Sequence, residues 1–584
     1  MSDQRYRVDR RRFLRDSALV SLGIVAAACA PGTTTTGGTA KKGGEFHAAW
    51  PWVLPPAGHY NYFNSSAIIS GSYLTDFFIP SLAVYRWAEG KWENWLMESA
   101  TQNGENYEVK LKQGLKWDDG KEFTSADVAT TYWIGRSQSF GIWTYADKLE
   151  APDKYTVRFH INRPSALVPR LVLRNGIRPD SQFGTFAKQL QDLYNAGKTT
   201  SSDEVKAVAK SVADFRPDPP SVGAYKIDKA SVTAAQMTMV KNPGGLFADQ
   251  VNFDKLIVYQ GETDAVTPLV LAGDIDYATH GFPLATDKAF GDQGIRVVRG
   301  PLYTGPALVF HWTGAPEFQD KRLRQAVAMA INKAESATIT YGQSAKAQKF
   351  MTGVSDNIVP LWLSAADQGK LKSYDYDVAA AAKLMTDAGY AKGSDGIYAK
   401  GGKALAYELY FPSDFADWTS AANHASDALN KFGIKITLRG AIRSTQLADV
   451  NAGKFQWAMM GWGAANPHPQ GSFIQNLQVF NTLQTTGGGM NYPLTQGSTD
   501  FAALINSMGD GFDTEKQKPS VTAAALAFND LLPIVPLWER YGNNPVNEKK
   551  RVAPWPADSD TVYKNGSGDS FVSIMVYNGT LHSL

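Results

Sequence analysis

Apolar and polar positions change period repeatedly along this chain. Tyr107-Glu108-Val109-Lys110-Leu111 alternates apolar and polar residues, as a strand with one buried face does. Residues 155–161 alternate in the same way, and residues 434–438 predict a further strand. Behind the first strand, residues 114–120 form a turn region. Thr124-Ser125-Ala126-Asp127 then has the form of a capping box, which predicts a helix running toward Arg136. Leu323, Ala326, Val327, Ala330 and Ile331 recur at helical spacing behind Asp320. Ala380, Ala381, Leu384 and Met385 do so behind Asp377, with Gly389 as the stop. Residues 455–460 are apolar but for Gln456, the pattern of a strand buried on both faces. Residues 533–538 form another apolar extended segment. Strands and helices interleave throughout, so the class is α/β or α+β.

The N-terminus follows other rules. Asp9-Arg10-Arg11-Arg12-Phe13-Leu14-Arg15 is basic, and residues 18–28 are weakly apolar. Eleven helical residues span about 16 Å, too short for a bilayer core of roughly 30 Å. This is an export-signal pattern. The paired arginines with Phe-Leu resemble a twin-arginine signal, and Ala26-Ala27-Ala28-Cys29 resembles a bacterial lipobox, which would make Cys29 a lipid anchor. Residues 30–44, rich in Thr and Gly, have no apolar face to bury and read as a flexible tether. The expected location is extracytoplasmic, tethered to the membrane by lipid alone, on the periplasmic or cell-surface side.

Composition narrows the rest. With 584 residues, 43% of them hydrophobic, the chain can bury a large core in several domain-sized units. Mean hydropathy is −0.27, unlike that of a polytopic membrane protein. The net charge of +2 argues against a nucleic-acid partner. The surplus belongs to residues 1–28, with six Arg against three Asp. A single cysteine excludes an intrachain disulfide and any multi-cysteine metal site. The eight histidines show no paired ligand spacing, so no metal and no cofactor are expected. Neither a nucleophile elbow nor a phosphate-binding loop appears. Asp118 and Asp119 read as turn residues rather than an acid/base pair.

Residues 107–136 (YEVKLKQGLKWDDGKEFTSADVATTYWIGR) are similar to the signature of the family 5 extracellular solute-binding proteins, the peptide, nickel and oligosaccharide receptors of ABC importers. Weaker matches follow in order: Gly223-Ala224-Tyr225-Lys226-Ile227, residues 271–276, 318–333 and 376–390, Met460-Gly461-Trp462, and residues 533–538. The resemblance implies a periplasmic-binding-protein-like type II fold of the α/β class, with two lobes joined by two crossing segments near 303–312 and 520–530. The large lobe would hold residues 45–305 and 525–584, with an inserted subdomain at about 75–215, and the small lobe 306–524. It also implies a monomer without enzymatic activity that closes on its ligand and docks on ABC permease subunits.

In peptide-binding members a Gly-Trp-x-x-Asp loop pairs its Asp with the ligand's amino group. Here Ala465 stands at that position, after Gly461 and Trp462. Sugar-binding relatives use aromatic platforms and neutral amides, and this chain is rich in both. The candidate ligand contacts are Trp50, Trp52, Tyr60, Asn61, Asn64, Trp143, Trp312, Trp462, Asn466, His468 and Asn491, whereas Trp418 and Trp538 read as structural. The expected ligand is an oligosaccharide. An oligopeptide is the alternative. A secreted glycoside hydrolase is a third reading, requiring two carboxyl groups roughly 5–9.5 Å apart across a cleft.

Overall fold

Two short sheets carry parallel strands whose carboxyl ends open onto the same region, and that arrangement organises the molecule. The computed structural model describes residues 42–51, 59–64, 67–481 and 489–584. The export-signal candidate with Cys29, nearly all of the tether and Trp52 lie outside the described residues.

In the first sheet, strand Glu45–Trp50 runs parallel to Lys255–Gln260, which pairs antiparallel with Gln236–Lys241 and then Tyr225–Asp228. The long excursion between its first two strands includes a second, antiparallel sheet ordered Met97–Asn103, Asn106–Leu111, Thr156–Ile161, Ala146–Asp153. Helix Ser125–Ser137 packs beside it and starts at the expected capping box. Thr124 accepts from the backbone while Asp127 Oδ2 accepts from Thr124 N at 2.7 Å. The Asp118 and Asp119 carboxylates accept Ser221 N at 2.8 Å and Lys121 N at 2.9 Å, which is the expected turn role.

The third sheet has the order Lys435–Ala441, Ala406–Pro412, Trp457–Trp462, Gly305–Phe310, Ile534–Pro536. Its first three strands are mutually parallel and the last two run opposite to their neighbours. Helix Ala416–Phe432 is the crossover between the first pair. Trp457–Trp462 is buried on both faces, as its apolar run predicts. Asp320 and Asp377 cap their helices as expected, and Gly389 (φ +85°) supplies the left-handed residue past the second.

Buried apolar residues fall into two sets. Clusters drawn from residues 46–298 and 546–581 form one, and clusters from 303–538 the other. The second set corrects one expectation. Residues 520–530 are not a crossing. They belong to helix Thr514–Leu531, whose Val521, Ala524, Ala525 and Phe528 are buried in the second set, and the chain stays with that set through Trp538. The helix end is fixed by Arg324, 1% exposed, which donates to the carbonyls of Leu531 (2.6 Å) and Leu532 (2.8 Å). A buried cation there meets the negative end of the helix. Arginine at 324 belonged to the predicted amphipathic helix, but periodicity alone could not reveal this long-range bond.

Candidate functional site

In open sheets, ligands sit outside the carboxyl ends of the parallel strands. Here those ends are Trp50 and Gln260 in one lobe, and Pro412, Ala441 and Trp462 in the other. The turns that follow supply Gly261 and Glu262 on one wall, and Asp414, Asp417, Trp418 and Arg443 on the other. Arg540, from strand Trp538–Arg540, lies between them. A Cβ on Gly281 would stand 3.6 Å from Arg540 Nη2, which places the first wall against it.

The chemistry of this junction is polar and incompletely satisfied. Asp417, 8% exposed, lies 3.5 Å from Arg540 Nε, an ion pair without a hydrogen bond. Asp417 Oδ2, Arg540 Nε, Trp418 Nε1 and His280 Nδ1 are all buried and lack hydrogen-bond partners among the described residues. Buried polar atoms are normally paired, so four orphans in one place mark groups that a bound molecule can satisfy. His280 Nε2 lies 2.7 Å from the Gly261 carbonyl, and burial pushes its pKa down to about 4. The ring is therefore neutral, donates from Nε2, and presents Nδ1 as an acceptor. Burial, reinforced by the charges of Asp414 and Asp417 across the junction, holds the Glu262 carboxyl above its ordinary value despite a bond from the Thr263 backbone. Arg443 lies 5.5 Å over the Trp418 ring and donates its backbone N–H to Asp414 at 2.8 Å. Gly461 faces the indole: a Cβ there would lie 3.5 Å from Trp418, in ordinary contact.

The lobes also touch at a rim. Arg163 Nη2 donates to Asp510 (2.7 Å) and to the Asn506 carbonyl (3.1 Å), while Gly511 exchanges backbone bonds of 2.7 Å with Pro164 and Ala166. On the opposite side of strand Trp538–Arg540, Glu539 and Asn357 bond at 2.9 Å. Asn357 there lines a separate cavity of about 1260 Å³, together with Trp87, Tyr303 and Lys564.

The residues expected to contact ligand are differently placed. Trp50 ends its strand at the junction but is buried at 9% exposure, and Tyr60 is buried in the first core. Asn61 is a correction. It is fully buried, with Nδ2 on the Val212 and Phe215 carbonyls and Oδ1 accepting from Phe63 N, so no hydrogen-bonding surface is left for a ligand. Asn64 Nδ2 reaches the Ala213 carbonyl at 3.3 Å. Trp143 lies against Trp133 and under Arg136 in the inserted region, with Nε1 donated to the Tyr132 carbonyl. Trp312 packs edge-on to Tyr492, away from the strand ends.

Trp462 is a second correction. It is 0% exposed and donates Nε1 to the Trp538 carbonyl at 3.1 Å, so the strand end reaches the junction while the side chain turns inward. Asn466 caps its own loop through His468 N. His468 is a third: Nδ1 accepts from Gln470 N, Nε2 pairs with Gln517 at 3.0 Å, and Trp362 lies edge-on at 4.7 Å. Asn491 Nδ2 lies 3.4 Å from His311, and its buried Oδ1 has no partner among the described residues. Trp418, expected to be structural, is at the junction. Asp417 was missed because strand Ala406–Pro412 and the helix that begins at Ala416 were not among the expected elements, and Arg540 because it lies just past the 533–538 segment. Among the described residues no cluster of three His, Cys, Asp or Glu side chains could hold a metal.

Burial also pushes the His468 pKa down to about 4. Between about 6.5 and about 4 the unfolded chain binds more protons at His280 and His468 than the folded one, so the stability these two rings contribute falls as pH falls through that window, opposed by the buried carboxyls of Asp127, Asp276 and Glu539, which burial raises to about 6, 6 and 7. Each histidine contributes roughly 3 kcal/mol. Thermal unfolding of the wild type and of His468→Gln, compared from pH 8 to pH 4, should show the wild type losing stability relative to the variant below about pH 6.5.

The profile of the bacterial extracellular solute-binding proteins, family 5 Middle, matches residues 86–483. A probable ABC transporter-binding protein of Deinococcus radiodurans is 23% identical over 525 residues, 82% of this chain and 78% of that protein. A putative ABC transporter peptide-binding protein of Brucella ovis is 26% identical over 400 residues, covering 66% and 67%. The periplasmic oligopeptide-binding protein of a Thermotoga maritima oligopeptide ABC transporter superposes with a TM-score of 0.76 at 17% identity, over 92% of this chain and 99% of that one. The same protein in a mannohexaose-bound crystal structure gives 0.69 at 17%, over 92% and 98%. The likeness to these structures establishes the shared two-lobed fold.

Proposed function

Because the chain belongs to the bacterial extracellular solute-binding proteins of family 5, and is thus a transport receptor of an ABC importer rather than an enzyme, we propose that its ligand is an oligopeptide held at the junction of the two lobes. The observation that carries this reading is the convergence of Glu262, Asp414 and Asp417. A peptide's amino group entering a closing cleft needs an anionic partner, since an unpaired charge out of water is costly. Ala465 removes that partner from the loop, and the acidic group at the strand ends replaces it. The Brucella relative, named a peptide-binding protein, favours the same class.

Carboxylates on facing walls are also what a glycoside hydrolase needs. Here the family supplies receptors. The oligosaccharide reading keeps one support, the mannohexaose-bound relative. Its aromatic platforms do not gather at the junction, where Trp418 has an unsatisfied N–H.

A thermal-shift panel separates the two. Residues 42–584 with trialanine, tetraalanine, maltotriose and cellotriose should be stabilised by the peptides, by about 2.7 kcal/mol at one hundred times Kd. Stabilisation by the sugars alone sinks the peptide reading.

A further inference from the structure

At the other end of the cleft loop the polarity is reversed. Where the peptide-binding pattern has an acid, the Ala465 carbonyl faces Gly568 of the other lobe. A methyl group on Gly568 would lie 3.9 Å from that oxygen and 3.2 Å from Nη2 of Arg170. The nearest charged side chain to this point is therefore a cation.

Arg170 stands in helix Val168–Leu173 and is 16% exposed. Its only hydrogen bond among the described residues runs from Nη1 to Asp569 Oδ2, at 2.5 Å. Asp569 cannot offer it more. Its four acceptor positions are filled by Arg170, Trp87 Nε1 (2.8 Å), Tyr85 N (3.1 Å) and Arg174 Nε (3.0 Å). Arg174, by contrast, is saturated by Asp76, Ser81, Gly568 and Asp569. Asp569 thus divides its charge between two guanidiniums, and Arg170 Nη2, the atom nearest Gly568, has no hydrogen bond among the described residues. A planar guanidinium with two adjacent donors matches a carboxylate.

We propose that Arg170 receives a carboxylate of the ligand beside Ala465, which under the peptide reading is the chain's C-terminus.

The test compares trialanine, trialanine amide, N-acetyl-trialanine and trigalacturonate on residues 42–584, by calorimetry. Trialanine should bind at least tenfold tighter than its amide, and Arg170→Gln should bring that ratio close to one. Arg170→Lys, which keeps a charge but loses the fork, should fall between. The wild-type ratio needs no variant, so a poorly folded Arg170→Gln leaves the test intact. Equal binding of acid and amide overturns the Arg170 assignment while sparing the peptide reading. Trigalacturonate binding that depends on Arg170, with no peptide binding, overturns the peptide reading alone. Binding of none of these overturns both.

Discussion

Trp462→Ala should cost the unliganded protein about 3–5 kcal/mol, the range for deleting a buried large aromatic side chain. The side chain has no exposed surface, and its N–H is spent on the Trp538 carbonyl, which would lose its donor. The neighbouring strand adds to the cost, because a Cβ at Gly305 would lie 2.8 Å from Trp462 Nε1 and 1.9 Å from the Trp538 oxygen. No side chain there can fill the void. Chemical denaturation of the unliganded protein should therefore show a much lower midpoint. An unchanged midpoint with weakened ligand binding would instead return Trp462 to the cleft surface.

Asp569→Ala should be at least as damaging. The carboxylate is fully buried and accepts from two arginines, an indole and a backbone N–H. Removing one member of such a cluster leaves uncompensated buried charge and costs about 3–5 kcal/mol. Burial alone would raise this carboxyl, but Arg170 and Arg174 outweigh it and hold it below its ordinary value. Its contribution is therefore fully present above the unfolded carboxyl's pKa near 4, and is lost as pH falls below that. The stability difference between the wild type and Asp569→Ala should be constant above about pH 4 and shrink beneath it. A difference that does not change with pH would contradict this.

The local rules carried most of the architecture. Thr124 with Asp127, Asp320 and Asp377 act through bonds to residues two or three positions away, so their helices were legible from spacing. The apolar run before Trp462 likewise announced a buried strand. What failed was the direction of particular side chains. Trp462 and Gly461 are neighbours in one strand, and alternation sends one into the core and the other toward Trp418, a parity no composition reveals. Asn61 and His468 looked available because each could bond a ligand. Their real partners, Val212 and Gln517, lie 151 and 49 residues away. The Asp417–Arg540 pair joins positions more than a hundred residues apart, and the pairing of strand Trp538–Arg540 with Ala345–Ala347 carries Arg540 to it.

The most direct test is a calorimetric titration of trialanine into the wild-type protein and into Asp417→Asn. Placing the ligand's amine against the acidic group at the strand ends predicts at least tenfold weaker binding for the variant, because charge-assisted bonding is lost while size is kept. Equal affinity for both proteins, or binding of N-acetyl-trialanine as tight as that of trialanine, would contradict it.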